Sequence, residues 1–157
     1  MDRCIVCGVD GSADSQAALR VAADMAARLR LRLIMANVVE PSPALYAGAT
    51  SFGGALSQPQ FPTTDAQEAV AKGLLTRLSA ATGLEQADRR VVVGYPAERL
   101  ADLADEEEAE LIVVGSRGRG AFKAAFLGSV STSLIGVARC PVLVVPPGAA
   151  AARPLSE

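Results

Sequence analysis

The sequence predicts one α/β domain in which helices cover both faces of a five-stranded parallel sheet. Three observations carry this prediction. Short apolar segments alternate along the chain with segments whose apolar residues recur at helical spacing. The apolar segments are nearly continuous, which is typical of parallel strands buried on both faces. The length of 157 residues suits one domain of ordinary size and is too short for two.

The first half of the chain predicts two strands, two helices and one long loop. Residues 4–9 form the first strand, and the turn after it contains Ser12, a favourable helix N-cap. Residues 31–39 form the second strand, and residues 40–62, rich in Pro, Gly and Ser, predict a mobile loop. The apolar stripe of the first helix is Ala17, Ala18, Val21, Ala22, Met25, Ala26 and Leu29. The second helix ends at Gly83, and its stripe is Val70, Leu74, Leu75 and Leu78.

The second half of the chain repeats the alternation. Its elements are a strand at residues 91–93, a helix from Pro96 with the inner stripe Leu100, Leu103 and Ala104, a strand at residues 111–114, a helix from about Ser129 that Pro141 prevents from continuing, and a strand at residues 142–145. Four acids at residues 105–108 are expected to be a solvated helix end rather than a partner site. The domain is expected to span residues 1–147, with residues 148–157 as a flexible tail.

Charge and composition exclude several functional classes. The net charge is −2 and aromatic residues make up 4%, which argues against nucleic-acid binding through a basic surface or base stacking. The chain has no histidine, which excludes Ser-His-Asp and Cys-His nucleophiles and imidazole zinc sites. No apolar run approaches the ~18 residues of a membrane span, and the N-terminal residues lack the features of a signal peptide. We therefore expect a cytoplasmic protein that binds neither nucleic acid nor membranes.

The cysteines are expected to be core residues. Cys4 and Cys7 have C-x-x-C spacing, but both lie in the first predicted strand, where side chains three positions apart point to opposite faces. Such thiols cannot share a metal or form a disulfide with each other. Free cysteine commonly packs as a small hydrophobic residue.

Two segments are candidates for a ligand site. In a sheet of this kind, ligands bind at the carboxyl ends of the strands where the strand order reverses. Residues 8–12 lie at the end of the first strand, and residues 115–120 follow the fourth and lead on to residues 128–131. We expect the first and fourth strands to be neighbours, so that the two segments form one site.

The glycine loop after the fourth strand predicts a phosphate site. Gly115, Gly118 and the pair Gly128-Ser129 form the pattern G-x-x-G-x9-G-S. The glycines permit tight turns and close ligand approach, and the pair opens a helix whose N–H groups favour an anion. The hydroxyls of Ser129 and Ser131 are further candidate donors. The basic side chains of the loop are Arg117, Arg119 and Lys123. The alternative is a surface turn with solvated basic residues and a serine N-cap. Arg119 and Lys123 are as easily explained by solvation as by contact with a ligand.

The loop differs from two familiar nucleotide motifs. It lacks the lysine of the P-loop, and its glycines do not follow the first strand as in a dinucleotide fingerprint. Asp10 can bind ribose hydroxyls or Mg²⁺; the alternative is a turn aspartate that bonds its own backbone. Gly8 allows close approach beside it, and the backbone of residues 37–39 can read an adenine edge. With one well-placed carboxylate identified, the site suits holding a nucleotide rather than turning it over.

The chain resembles the universal stress protein family, and its glycine pattern is similar to that of the ATP-binding branch. The other residues that carry the resemblance are Val-Asp-Gly-Ser at 9–12, Val-Val-Gly-Tyr-Pro at 92–96 and Cys-Pro-Val-Leu-Val-Val at 140–145. The resemblance implies a Rossmann-like, adenine-nucleotide α-hydrolase-like three-layer sandwich. It also implies a homodimer formed by the last strands, residues 142–145. Such pairing would cover an apolar edge strand that, if exposed, would be prone to aggregation. The chain departs from the family at Arg117, where histidine is frequent, so phosphate contacts are expected to differ there.

The resemblance also implies roles for individual residues. Asp10 and Gly115 would lie at the ribose, Val38 would line the adenine pocket, and the glycine loop would hold the phosphates. The full set of expected nucleotide-binding residues is Gly8, Val9, Asp10, Val38, Gly115, Ser116, Arg117, Gly118, Arg119, Gly120, Gly128, Ser129, Val130 and Ser131.

The expected function is that of a regulator of stress or energy state that binds ATP, either alone or as its Mg²⁺ complex. Two alternatives remain open. One is a slow Mg²⁺-dependent ATPase or nucleotidyl transferase that uses Asp10. The other is a dimerising interaction module whose pocket is vestigial.

Overall fold

The structure is a computed structural model that describes residues 3–41, 64–118 and 127–149. Its elements are, in order, β1 (Cys4–Gly8), α1 (Ala13–Leu29), β2 (Arg32–Val39), α2 (Thr64–Thr82), β3 (Asp88–Val93), α3 (Pro96–Glu106), β4 (Ala109–Gly115), α4 (Ser129–Val137) and β5 (Val142–Val145). The predicted alternation of strands and helices is confirmed. The expectations for residues 42–62, Arg119, Gly120, Lys123 and most of the tail fall outside the described residues. No described helix is long and apolar enough to cross a membrane.

The five strands form one parallel sheet in the order β3-β2-β1-β4-β5. The chain first adds β2 and β3 on one side of β1, and then crosses to the other side to add β4 and β5. The strand order therefore reverses between β1 and β4, which confirms that the first and fourth strands are neighbours. The carboxyl ends of these two strands mark the position where such sheets bind ligands.

Two apolar layers cover the sheet, one on each face. On one face, Cys7 packs with Leu19 of α1 and Leu75 of α2. On the other face, Cys4 packs with residues of α3 and with Leu134 of α4. The three-layer sandwich is thus confirmed, and so is the placement of the two cysteines on opposite faces. Burial raises the pKa of the Cys7 thiol to about 12, so this side chain stays protonated and behaves as a small hydrophobic residue.

Local sequence signals fix the helix ends. The Ser12 hydroxyl oxygen accepts a hydrogen bond from the Ser15 amide at 3.1 Å, as expected of an N-cap. Pro96 occupies the first turn of α3. Gly83, with φ of +69°, follows the end of α2, where a residue in the left-handed region commonly ends a helix. These boundaries hold the start of α1 close to the end of β1.

Two predicted core positions are wrong. Leu29 is 58% exposed and Val70 is 69% exposed. Leu29 is the last residue of α1, beyond the part of the helix that covers the sheet, and Val70 lies at the rim of a cavity rather than in the core. Leu19, outside the predicted stripe, is fully buried because α1 packs across β1, β2, β4 and β5 and so buries a wider face.

The acidic run at the end of α3 is also more structured than expected. Glu107 forms ion pairs with Arg32 at 2.9 Å and with Arg90 at 3.1 Å. Asp105 lies 3.2 Å from Arg139. The Glu107 contacts join the end of α3 to β2 and β3, and the Asp105 contact joins it to the segment before β5. Asp105, Glu106 and Glu108 are exposed, as predicted for a solvated helix end, whereas Glu107 is half-buried between its arginine partners.

Candidate functional site

A cavity of about 880 Å³ opens at the carboxyl ends of β1, β2 and β4. Three groups of residues form its walls: the ends of the three strands, the first turns of α3 and α4, and one face of α2. Ligand pockets in proteins commonly measure about 300–1,000 Å³, so the cavity can hold a mononucleotide. Among the sequence-predicted residues, those that line it are Gly8, Val9, Asp10, Val38, Gly115, Arg117, Gly118, Gly128, Ser129, Val130 and Ser131.

Asp10, in the first predicted segment, lines this cavity beside the second segment. One carboxylate oxygen, Oδ1, accepts a hydrogen bond from the Ser12 amide at 2.9 Å, which is the turn role weighed as the alternative. The other oxygen faces the glycine loop: a Cβ built on Gly118 would lie 2.8 Å from Oδ2. The two roles are compatible, because the turn contact holds the carboxylate in place while Oδ2 lies beside the loop. A side chain at residue 118 would crowd this carboxylate.

The first turn of α4 presents its amides to the cavity. Its N-cap is Gly128, which has no side chain to accept hydrogen bonds from the first-turn N–H groups. Ser129 follows as the first helical residue, so the alternative of a serine N-cap is wrong. A helix start without a side-chain cap, at the wall of a cavity, is suited to an anion.

Ser131 has a different role from the one expected. It is 2% exposed, and its hydroxyl lies 3.1 Å from the Ser116 carbonyl oxygen and 3.0 Å from that of Gly128. A serine hydroxyl has one hydrogen to donate, and here that hydrogen is directed to a carbonyl of the loop. The Gly128 amide donates to the same Ser116 carbonyl at 2.6 Å. These contacts attach the segment after β4 to the start of α4 and so fix the shape of this end of the cavity.

Ser116 also points away from the cavity, contrary to the expectation that it binds nucleotide. It is 4% exposed, and its hydroxyl donates to the Asp14 carboxylate at 3.1 Å. The same carboxylate oxygen accepts from Nε of Arg117 at 3.3 Å. Asp14, in the first turn of α1, therefore orients the one basic side chain that the described residues place on the cavity wall. Sequence reasoning missed this residue, since an acid in a first helical turn is common and carries no further signal.

Gly115 and Gly8 are required by packing as well as by the cavity. A Cβ on Gly115 would lie 2.7 Å from the carbonyl carbon of Asp14, so α1 can cross the end of β4 only over a glycine. A Cβ on Gly8 would lie 3.0 Å from Leu100 of α3. Both residues line the cavity, as expected. The structure adds that their missing side chains let α1 and α3 approach the sheet closely.

The wall formed by α2 was not predicted as part of the site. Its cavity-facing residues are Ala66, Gln67, Val70, Ala71 and Leu74. Leu74 lies over the turn after β1, where a Cβ built on Gly11 would be 3.2 Å from its side chain. Sequence reasoning missed this wall because α2 begins far along the chain from the end of β2, and nothing local indicates where the helix packs. The apolar spacing of α2 was the available signal, and it was assigned to the core.

Comparisons with known proteins identify the family. A model of the universal stress protein family matches residues 1–146. The chain belongs to this family. A universal stress protein of Thermus aquaticus is 35% identical over 145 residues, a match that covers 92% of this chain and 99% of that protein. One of Mycolicibacterium smegmatis is 34% identical over 150 residues and is covered to 45% of its length, so the chain spans about half of this relative.

Solved universal stress proteins share the fold. One, a complex with cAMP, is 28% identical with a TM-score of 0.63, and the match covers 94% of this chain and 99% of that one. Another, from Archaeoglobus fulgidus, is 25% identical with a TM-score of 0.65 and covers 92% and 99% of the two chains. The resemblance drawn from the sequence motifs is thus confirmed at the level of the family and the fold.

Proposed function

We propose that this cavity binds an adenine nucleotide, with ATP as the ligand, and that the protein belongs to the ATP-binding branch of its family. The observation that carries the proposal is the phosphate end of the cavity. There, the α4 start without a side-chain cap meets Gly118, whose missing side chain leaves room beside Asp10. The universal stress protein that is a complex with cAMP supports the choice of an adenine nucleotide.

In this proposal the phosphates lie against the first turn of α4, Gly118 and Arg117, where backbone N–H groups and a guanidinium favour negative charge. Glu40, directly after β2, supplies negative charge on the other side of the cavity, which disfavours the opposite orientation. The ribose then lies near Asp10 and the base near the backbone of Val38. Among the described residues no cluster of three metal-ligating side chains exists. A Mg²⁺ ion would therefore take its ligands mainly from phosphates and water, with Asp10 as the nearby carboxylate.

We further propose that the nucleotide regulates the protein rather than being turned over rapidly. The hydroxyls of Ser116 and Ser131 face inward, and Asp10 is the carboxylate near the phosphates. Fast phosphoryl transfer needs groups that orient a nucleophile and hold a metal.

We place this regulator in the cytoplasm as a homodimer joined through β5, which lies at the edge of the sheet.

Slow hydrolysis is the second candidate, favoured by the position of Asp10 beside Gly118. A single experiment separates the two. Protein stripped of bound nucleotide is titrated with Mg-ATP in a calorimeter, and the same sample is assayed for ADP. We expect saturable binding without steady ADP release. Release that Asp10→Asn abolishes while binding persists would instead establish the enzyme, and absence of binding would leave the interaction module.

A further inference from the structure

Gln67 is the polar side chain of the α2 wall, and its amide oxygen lacks a hydrogen-bond partner. The residue lines the cavity, and among the described residues Oε1 is buried and accepts no hydrogen bond. The remaining cavity-facing residues of α2 are all apolar. A buried amide oxygen without a partner is costly, and pockets commonly carry a few polar groups that orient the ligand.

Another amide of the cavity wall is already engaged. The Asn37 side chain donates through Nδ2 to the Val9 carbonyl at 2.7 Å, so it connects β2 to β1. This contact fixes the end of β2 but commits a donor of the Asn37 amide to the protein. Gln67 differs, since the residue lines the cavity and its buried amide oxygen has no protein donor among the described residues.

The topology places Gln67 at the end of the cavity opposite the phosphates. Helix α2 connects β2 to β3 on one half of the sheet, whereas α4 connects β4 to β5 on the other half and covers the other face. Gln67 therefore lies on the side of Val38 and Glu40, away from Arg117 and the start of α4. A group at this end of the cavity meets the base of a bound nucleotide.

We infer that Gln67 is a specificity-determining residue that hydrogen-bonds the edge of the adenine base, an inference that rests on the proposed function. Its amide offers an acceptor and donors in one plane. Adenine presents an exocyclic amine next to a ring nitrogen, and glutamine amides pair with such an edge through two hydrogen bonds. Oε1 accepts from the amine, and Nε2 donates to the ring nitrogen.

The test compares ATP with purine riboside 5′-triphosphate, which lacks the exocyclic amine, in wild-type protein and in Gln67→Met. We expect the wild type to prefer ATP by about tenfold, the effect of one hydrogen bond lost in a buried site. The variant, which keeps the length of the side chain without its amide, should bind both nucleotides about equally. Gln86→Met is the matched control, since Gln86 is exposed and does not line the cavity, and it should keep the wild-type ratio.

A second variant gives an independent readout. Gln67→Glu keeps an acceptor for the exocyclic amine but loses the donor to the ring nitrogen, so it should bind ATP more weakly than the wild type and still prefer ATP over purine riboside triphosphate. An unchanged ATP to purine riboside triphosphate ratio in Gln67→Met, or an equal loss for both nucleotides, would overturn the inference alone. A wild-type protein that binds neither nucleotide would overturn the proposed function as well.

Discussion

At the scale of single residues, two glycines of one motif have different roles. The hypothetical Cβ of Gly118 meets a side-chain oxygen of Asp10 at the cavity, whereas that of Gly115 meets backbone atoms of Asp14 in α1. A side chain at residue 118 therefore disturbs the ligand end of the cavity. One at residue 115 disturbs the packing of a helix on the sheet. Substituting each glycine separates binding from stability.

We expect Gly118→Ala to weaken Mg-ATP binding at least tenfold, about 1.4 kcal/mol, with little change in the unfolding midpoint. The added methyl group would lie 2.8 Å from Asp10 Oδ2, where the phosphates approach. Calorimetric titration measures the affinity. Gly73→Ala is the control, because a Cβ there meets nothing within 4 Å, and its affinity should equal that of the wild type. Unchanged affinity in Gly118→Ala would contradict the phosphate site.

We expect Gly115→Ala to lower the free energy of unfolding by about 1–3 kcal/mol, the range typical of overpacking. Its Cβ would lie 2.7 Å from a backbone carbon, which cannot rotate away, so α1 has to shift. Urea denaturation measures the effect. In the same assay Gly73→Ala should be stabilised by about 1 kcal/mol, because alanine favours the helix interior. If Gly115→Ala is as stable as the wild type, α1 does not need this close approach.

At the scale of elements, ion pairs connect α3 to the strands at the amino-terminal edge of the sheet. Arg32 of β2 lies between Asp88 of β3 and Glu107 after α3, at 2.8 and 2.9 Å. Hydrogen bonds from Arg32, and then from Arg90, lower the pKa of the Glu107 carboxyl below its ordinary value of 4.5. The cluster is partly exposed, so its contribution to stability is small but depends on pH.

We expect Glu107→Gln to be less stable than the wild type at pH 7 by at most about 1 kcal/mol. A carboxyl whose pKa is lower in the folded state stabilises the fold above its unfolded pKa and loses that effect as pH falls through the folded value. The difference between the two proteins should therefore shrink as the pH falls below about 4.5 and be lost once the carboxyl is protonated in the folded state. Urea denaturation at several pH values measures it. Glu106→Gln, next in sequence and exposed, is the control; a difference that persists at acid pH would argue against the ion pairs.

At the scale of the whole molecule, the sheet has an edge at β5 that is suited to a second copy. The carbonyls of Pro141 and Val145 accept hydrogen bonds from β4, so contacts to β4 alternate along the strand. The backbone groups of Val142 and Val144 are therefore directed to the outer edge. Ile135 and Val137 of the adjacent α4 are 62% and 44% exposed. An edge with this composition favours pairing.

We expect the wild type to sediment as a dimer and Val144→Pro to sediment as a monomer at the same concentration. Proline removes the outward N–H while leaving the contacts to β4, and it is tolerated on edge strands. Val144→Ala keeps the N–H and should stay dimeric. A dimeric Val144→Pro would place the interface elsewhere, and a monomeric wild type would refute the dimer.

Much of the fold follows from local patterns that the sequence displays directly. Apolar runs and helical stripes are set by neighbouring residues, so the order of elements was predicted correctly. Turn signals correctly predicted the helix ends at Ser12, Gly83 and Pro96. That the first and fourth strands are neighbours followed from the rule on where such sheets bind ligands, together with the positions of the polar segments after these strands. The family resemblance was likewise readable from motifs.

The directions of individual side chains were decided by the tertiary structure alone. Ser116 and Asp14 are 102 residues apart in sequence and 3.1 Å apart in space, and no local pattern records such a contact. For the same reason, the ion pairs of Glu107 with Arg32 and Arg90 could not be predicted from the sequence. The wall from α2 was missed because this helix begins far along the chain from the strand ends that it meets. Local sequence patterns indicate which elements form and which strand ends carry the candidate site. Packing between distant elements decided which of those side chains face the cavity, because that depends on contacts formed only when the sheet and helices come together.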